Sequence, residues 1–235
     1  MVRCTLRARA AVAAVALGAL FRLAGGAAAQ DAEAIAAPQL AVGDHWQYRL
    51  VDNLRRGAVS QLDVEVTAVS GGVARIRVAR SGAAGQAEWI DEVEGGTLRS
   101  GSLYGEPVRP FNPPVQLLAF PLSKGKTWKE TINTLRKDTG IKDQILIYGK
   151  VGAAAAVTVP AGRFDTVFVY RTVNYDDVEF WRSRTFRTDS VWYAAAAKGP
   201  VREKHEAKYN QNDRSLPEVR TESTVLELVS FRPGN

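Results

Sequence analysis

The 235-residue sequence has little cysteine and little histidine: one of the first and two of the second. The single cysteine is Cys4, so the chain cannot form an internal disulfide and the rest of it has no thiol for catalysis or metal binding. After residue 30 there is no apolar run of 18 or more residues, which leaves no candidate transmembrane helix. Stability must therefore come from an ordinary hydrophobic core, and the chain is long enough to build one.

Acidic residues are absent from the first thirty positions, which carry four arginines. The formal net charge of the whole chain is +6, but without this segment 27 basic side chains (31 less 4) face 25 acidic ones, a net charge of +2. Nucleic-acid-binding domains need a clustered basic surface and a high isoelectric point. We therefore expect no nucleic-acid partner. At 46% hydrophobic residues the chain is also too apolar to be disordered.

Residues 1–29 have the three regions of a secretory signal peptide. An arginine-containing start precedes an apolar stretch at residues 10–20, and the small residues that end at Ala29 fit the small-x-small cleavage pattern. The apolar stretch is well short of the ~20 residues that span a membrane, which disfavours a retained anchor helix. The sequence predicts export by the general secretion route, cleavage after Ala29, and a periplasmic or secreted protein.

From Trp46 onward the apolar residues recur with a period of two, which is typical of β-strands. Residues 61–68 and 73–78 alternate in this way and are joined by Gly71-Gly72, so they predict a hairpin, because glycine reaches the positive φ angles of primed turns. A second hairpin is predicted over residues 88–103.

Five prolines between residues 106 and 121 predict a loop or an edge crossing, because proline cannot donate to a β-ladder. The segment 201–209 could form a charged helix, but its neighbours favour a strand. We predict a single antiparallel, strongly curled sheet, an open or half barrel, over residues 42–232 after a flexible leader at 30–41. Its further strands are expected at 127–135, 141–150, 157–159, 164–173, 178–193, 201–209 and 218–231.

Neither histidine has neighbours at the spacing of a metal site. His45 follows an aspartate and His205 lies among glutamates, so we expect no metal and no other cofactor. A nucleophile elbow is also absent: the segment 101–105 has its serine one position too early. A hydrolase site assembled from distant residues such as His45, Ser102 and Asp176 stays open as an alternative, although we favour a protein that is not an enzyme.

Residues 179–187 alternate aromatic side chains with arginines and hydroxyl residues. On a strand, Phe180, Arg182, Arg184 and Phe186 would share one face, and Trp181, Ser183, Thr185 and Arg187 the other. Stacked arginine and aromatic side chains can line a groove for an anionic or lipidic ligand, so the candidate ligand-binding residues are Trp181, Arg182, Arg184 and Phe186. A two-sided strand whose arginines pair with carboxylates of neighbouring strands explains the same pattern.

Two Gly-x-x-Trp elements, Gly43 to Trp46 and Gly125 to Trp128, each place a glycine turn before a tryptophan at the start of a strand. A large side chain that follows a permissive turn anchors a strand end, and we interpret the two elements as one packing device used twice.

The turn Pro160-Ala161-Gly162 before Phe164, and Trp192-Tyr193 before Gly199, are further landmarks. Together with the Gly-x-x-Trp elements they resemble a family of bacterial exported proteins of unknown function, TapB-like, with the pattern V-P-A-G-x-F … W-Y-A-P-G-x-G-x-V-K. The resemblance covers about residues 42–231 and implies a fold but no catalytic residues. The chain departs from the pattern at residues 195–197, three alanines, where we expect a looser or longer turn.

These observations predict a non-enzymatic exported protein whose concave sheet binds a lipid or another apolar small molecule, or an envelope protein. The expectation rests on fold-level analogy with periplasmic carriers of lipids and lipoproteins. A structural or assembly factor that recognises another chain by pairing at an exposed strand edge is the alternative, alongside the hydrolase.

Overall fold

The computed structural model describes residues 34–83, 85–104, 107–135, 140, 142–175, 181–212 and 218–234. These residues form one antiparallel sheet of twelve strands that curls into a nearly closed barrel, which confirms the predicted fold class. The strands are β1 His45–Asp52, β2 Ala58–Ser70, β3 Val73–Gly82, β4 Ala87–Glu94, β5 Thr97–Gly101, β6 Arg109–Gln116, β7 Thr127–Leu135, β8 Lys142–Val159, β9 Gly162–Tyr175, β10 Thr185–Ala194, β11 Gly199–Tyr209 and β12 Val219–Arg232.

Strand order follows chain order in two halves, β1 to β6 and β7 to β12, and β1 pairs with β12 in the middle of the sheet. The edges of the sheet are therefore β6 and β7. No helix in the described residues is long and apolar enough to cross a membrane. The predicted signal peptide and the cleavage site after Ala29 lie outside the described residues.

Three strand predictions differ from the structure in detail. The predicted strands 141–150 and 157–159 are parts of one 18-residue strand, β8. The proline-rich segment contains a true edge strand, β6, since its outward N–H groups need no partner. Strand β10 begins at Thr185 rather than at 178, and residues 181–184 before it make one isolated bridge with the segment after β11.

The two Gly-x-x-Trp elements adopt the same turn. Gly43 and Gly125 both have a φ of +87°. The Gly43 N–H donates to the Val66 carbonyl at 2.8 Å, and the Gly125 N–H donates to the Val151 carbonyl at 2.9 Å. Each valine is fully buried and returns a hydrogen bond to the residue after the glycine. The left-handed glycine turn thus lets the chain enter a strand beside a buried partner at both places.

The connection between β10 and β11 is fixed to β1 by buried hydrogen bonds. The Trp46 indole N–H donates to the Ala197 carbonyl at 2.7 Å, and the Tyr48 hydroxyl donates to the Pro200 carbonyl at 3.0 Å. The three alanines 195–197 form one 3-10 turn, and Lys198 follows with a φ of +51°. The expected looser or longer turn is therefore a compact one, because a tryptophan and a tyrosine of a distant strand bind its carbonyls.

Asp44 joins three segments of the chain and has no solvent exposure. Its carboxylate accepts hydrogen bonds from the Ala41 N–H at 2.8 Å, the Gly234 N–H at 2.7 Å and the Lys198 ammonium at 2.9 Å. Burial by itself raises the pKa of this carboxyl, but the three donors outweigh that effect and lower the pKa below its ordinary value. Asp44 is therefore an ionised anchor for the segment before β1, for the chain after β12 and for the β10–β11 turn.

The turn at Pro160-Ala161-Gly162 lies at the tip of the hairpin β8–β9, which folds back onto the sheet. The Ala161 N–H donates to the Leu228 carbonyl at 3.0 Å, and the Arg202 guanidinium donates to the Thr158 carbonyl at 2.8 Å. Phe164 packs against the same apolar cluster as Trp46 and Leu228. This landmark therefore holds a long hairpin in place.

The two edge strands face each other across an unsealed seam. In the described residues no backbone ladder joins β6 to β7. Side chains bridge the gap: the Trp128 indole N–H donates to the Gln116 carbonyl at 3.2 Å, and the Gln116 N–H donates to the Glu130 carboxylate at 2.9 Å. Prolines at three of the eight positions of β6 remove ladder donors, which explains why the barrel does not close by backbone pairing.

Trp128 can reach the seam because Gly149 lies directly opposite it on β8. A β-carbon at position 149 would lie 2.1 Å from the indole ring. The absence of a side chain at Gly149 therefore lets the Trp128 ring pack directly against strand β8.

Replacing Gly149 with alanine should displace the Trp128 ring and lower the free energy of unfolding by about 1–3 kcal/mol, the usual cost of overpacking. Urea denaturation of Gly149→Ala measures this. Lys150→Ala, on the exposed face of the same strand, is the control and should stay within about 0.5 kcal/mol of wild type. Equal stabilities for the two variants would contradict the role assigned to Gly149.

Replacing Asp44 with alanine should lower the free energy of unfolding by about 3 kcal/mol, because two backbone N–H groups and a half-buried ammonium lose their acceptor. The control is Asp63→Ala, whose carboxylate is 38% exposed and pairs with His45. Its loss should cost less than about 1 kcal/mol. A loss of the same size for both variants would show that Asp44 does not anchor the chain.

Candidate functional site

An apolar cavity of about 450 Å³, partly open to solvent, lies on the inner face of the sheet. This volume lies in the range of about 300–1,000 Å³ that is usual for small-molecule sites. Strands β1 to β4 form one wall, and the loop after β6 and the β10–β11 turn form the other. The lining residues are Pro38, Gln39, Leu40, Trp46, Tyr48, Val64, Val69, Gly72, Ala74, Ile76, Val93, Gly95, Gly96, Leu118, Phe120, Tyr193, Lys198, Gly199 and Pro200.

The register of strands β1 and β2 determines which apolar side chains face the cavity. Trp46 and Tyr48 alternate along β1, and Val64 on β2 lies directly opposite Trp46. Since paired residues of an antiparallel ladder share a face, these side chains all point into the barrel. Ala74 on β3 and the glycines of the β4–β5 turn contribute almost no side-chain volume there. Small residues at these positions leave space that larger ones would fill.

The segment 38–40, part of the predicted leader, crosses one side of the cavity. Backbone hydrogen bonds hold it at both ends: Ile35 exchanges two with Leu122, and the Ala41 N–H binds Asp44. At the tip of the β2–β3 hairpin the lining residue Val69 is 41% exposed. The rim of the cavity therefore presents apolar surface to solvent.

The cavity lining contains few polar groups. The Lys198 ammonium lies 2.9 Å from each oxygen of the Asp44 carboxylate, so its charge is balanced by that group. The Tyr48 hydroxyl is committed to the Pro200 carbonyl. Burial, and then the negative charge of Glu203, raise the pKa of the Tyr48 phenol. The lining is thus a neutral, mainly hydrocarbon surface.

A buried ionic row lies on strands β9 to β12, apart from the cavity lining. Arg171 on β9, Asp189 on β10 and His205 on β11 lie directly opposite one another. The Arg171 guanidinium is 3.1 Å from the Asp189 carboxylate, and the His205 Nδ1 is 2.8 Å from it. The other ring nitrogen of His205, Nε2, is 3.1 Å from the Glu203 carboxylate.

Arg187 extends this row to β12. Its guanidinium lies 2.7 Å from Asp189 and also pairs with Glu222. Ala207 on the intervening strand pairs with both Arg187 and Glu222 in register, so its small side chain lets the two ions meet across it. With a protonated His205, the three cations balance the carboxylates of Asp189, Glu203 and Glu222.

The pKa shifts agree with this balance. Burial lowers the pKa of His205, but its hydrogen bonds to Asp189 and Glu203 outweigh burial and raise the pKa to about 9. Burial likewise opposes ionisation of Asp189, yet the charge of Arg171 and the hydrogen bond from His205 hold its pKa well below the usual range. The row is therefore ionised at neutral pH.

This row is not a catalytic triad. Both ring nitrogens of His205 face carboxylates, and a protonated imidazole cannot act as a general base. His45 lies elsewhere, 2.9 Å from Asp63, while the Ser102 N–H binds Asp91. Asp176, the third residue of the hydrolase alternative, lies outside the described residues. Within the described ranges no group of three or more His, Cys, Asp or Glu side chains is arranged to hold a metal ion.

The aromatic and arginine candidates lie outside the cavity lining. Trp181 is 42% exposed, and the Arg182 guanidinium lies over the Trp181 and Tyr209 rings, 5.4 and 5.1 Å from their centroids. Arg184 and Phe186 are half-buried, whereas Thr185 and Arg187 are buried inside the barrel. Arg187 pairs with carboxylates, as in the second interpretation of this segment.

Of the landmark residues, Trp46, Tyr193 and Gly199 line the cavity, while Trp192 packs against Phe168. Tyr48, Val64, Ile76 and Lys198 also line the cavity, although the sequence pattern does not mark them as site residues. Tyr48, Val64 and Ile76 follow the pattern of ordinary alternating strands, and Lys198 lies in a turn, so no sequence signal separates this cavity wall from a filled core.

Stability should fall as pH rises from about 6.5 to about 9. His205 has a raised pKa when folded, so protonated His205 stabilises the fold fully below the unfolded pKa of about 6.5, and this contribution disappears as pH passes about 9. The effect is at most about 3 kcal/mol at 1.36 kcal/mol per pKa unit. Urea unfolding of wild type and of His205→Gln across this range measures it.

The variant should be destabilised most at low pH, and its difference from wild type should shrink above pH ~9. An unchanged slope in His205→Gln would refute the assignment.

Comparison with known proteins places the chain in a class of fold. No protein-family model matches it, and neither does any curated protein. A solved structure of a predicted lipoprotein from Parabacteroides distasonis has a similar fold, with a TM-score of 0.53, 14% identity, and coverage of 85% of this chain and 100% of that one.

Two further solved structures are more distant. A predicted exported protein with a YmcC-like fold from Bacteroides fragilis has a TM-score of 0.43, 12% identity, and coverage of 85% and 99%. The hypothetical lipoprotein YmcC from Escherichia coli has a TM-score of 0.38, 6% identity, and coverage of 81% and 85%. The TapB-like resemblance is without support from a family model.

Proposed function

We propose that this chain is an exported, non-enzymatic protein that holds an apolar small molecule of the lipid type inside its barrel. The observation that carries the proposal is the cavity of about 450 Å³, whose walls are mainly hydrocarbon. Binding of an apolar ligand in a space of this size is favourable, because apolar surface of the ligand and of the lining is removed from water.

The lining supports binding rather than chemistry. Its aromatic side chains offer large contact surfaces, and two of them, Trp46 and Tyr48, are fixed by hydrogen bonds to the β10–β11 turn. A preorganised wall loses little conformational entropy when a ligand binds. The exposed Val69 at the rim provides an apolar entrance.

An envelope location is part of the proposal. It rests on the signal-peptide pattern of residues 1–29. The Parabacteroides distasonis protein that shares the fold is itself described as a predicted lipoprotein, which agrees with this location. The TapB-like family, proposed from the landmarks alone, also consists of exported proteins.

Pairing with another chain at a strand edge is less well supported. In the described residues the sheet has two edges, and they face each other at the seam. Strand β6 carries three prolines, which cannot donate to an added strand. We therefore propose no partner at this edge.

Filling the cavity should weaken ligand binding. Val64→Trp places a large ring among the lining residues, and we expect the affinity for the neutral fluorescent probe N-phenylnaphthylamine to fall at least tenfold. Fluorescence titration of purified protein measures this. Native mass spectrometry of protein taken from its own periplasm should show a lipid-like adduct in the wild type.

The matched control is Val59→Trp, the same substitution on the outer face of the same strand, where Val59 is 47% exposed. It should bind the probe like the wild type. Thermal melts of both variants verify folding. If the wild type binds no apolar probe and carries no adduct, the proposed function is wrong.

A further inference from the structure

Tyr193 is a polar side chain of the cavity whose hydroxyl forms no hydrogen bond to the part of the chain that the structure describes. The residue is 2% exposed and lines the cavity. Burial alone raises the pKa of its phenol, and no described residue donates to or accepts from its hydroxyl. The hydroxyl faces the cavity space. An apolar ligand that displaces solvent from this space leaves the hydroxyl without a hydrogen bond, which costs free energy, so a ligand that also brings a hydrogen-bond partner binds more tightly.

The position of this hydroxyl is well defined. The Tyr193 ring packs edge-on against Phe120, with 5.3 Å between ring centroids. Its neighbour Tyr48 already donates to Pro200. Tyr193 is neutral, and its O–H is a donor, so it favours a hydrogen-bond acceptor on the ligand.

The charges around the cavity disfavour an anionic ligand. Asp44 neutralises Lys198, the single cation among the described lining residues. The negative charge of the Glu203 carboxylate acts on the Tyr48 phenol and raises its pKa. A ligand carboxylate in this space would lose its hydration without gaining a free positive partner, which is costly.

From these observations we infer that the cavity selects an uncharged long-chain molecule with a carbonyl or ether oxygen, and that Tyr193 donates a hydrogen bond to this oxygen. The inference rests on the proposed function and names its ligand class: neutral esters and related acyl lipids, rather than free fatty acids. Tyr193 is thereby the residue that determines specificity within an otherwise apolar wall.

Three compounds with the same chain length test this: hexadecane, methyl palmitate and palmitate. Each is delivered from cyclodextrin at neutral pH in competition with N-phenylnaphthylamine. The wild type should bind methyl palmitate about fivefold more tightly than hexadecane, since one net hydrogen bond has about that effect. Palmitate, ionised in water, should bind more weakly than the ester.

Tyr193→Phe keeps the ring and removes the hydroxyl. It should lose the difference between ester and hydrocarbon and retain the affinity for hexadecane. Tyr170→Phe, an exposed tyrosine on β9, is the control and should behave like the wild type.

The possible results distinguish a failure of ligand binding in the cavity from a failure of the role assigned to Tyr193. Binding of none of the three compounds or the probe would overturn the proposed function. Binding with palmitate preferred, or with the ester preference intact in Tyr193→Phe, would overturn the inference about Tyr193 and leave the cavity as an apolar binding site.

Discussion

The Asp44 carboxylate organises one end of the barrel. It lies at the start of β1, fully buried, and collects donors from the segment before the sheet, from the chain after β12 and from the β10–β11 turn. Because the lining segments 38–40 and 198–200 both end at this anchor, the shape of the cavity depends on it. The hydrogen bonds of Trp46 and Tyr48 to the same turn reinforce the arrangement.

The barrel interior is divided between two kinds of chemistry. One part is the hydrocarbon cavity, and the other is the ionic row of Arg171, Arg187, Asp189, His205 and their partner carboxylates. A closed, charge-balanced row is a costly way to fill a core, because buried ions lose their hydration. Its cross-strand matching does, however, fix the register of β9, β10 and β11, since a slip of one residue would leave several ions without partners.

The fold could be predicted from the sequence because its determinants are local. Each feature used for the prediction concerns only a few neighbouring residues. These features are the alternation of apolar residues, the Gly71-Gly72 turn and the prolines between residues 106 and 121. Asp189 and His205 are 16 positions apart and meet through strand register, which no local pattern encodes. The cavity is harder to predict than the ionic row. It is the space left by the small side chains of Ala74 and of the glycines in the β4–β5 turn, and its shape is set only when distant loops pack around them.

The seam between β6 and β7 distributes rigidity unevenly around the barrel. Elsewhere, separating two strands breaks a continuous backbone ladder, whereas here it breaks side-chain contacts made by Trp128 and Glu130. Local opening has the lowest cost where the fewest hydrogen bonds are lost. Backbone amides of β6 and β7 will accordingly exchange with deuterated solvent sooner than those of the central pair β1 and β12. Local opening of the barrel will therefore begin at the seam.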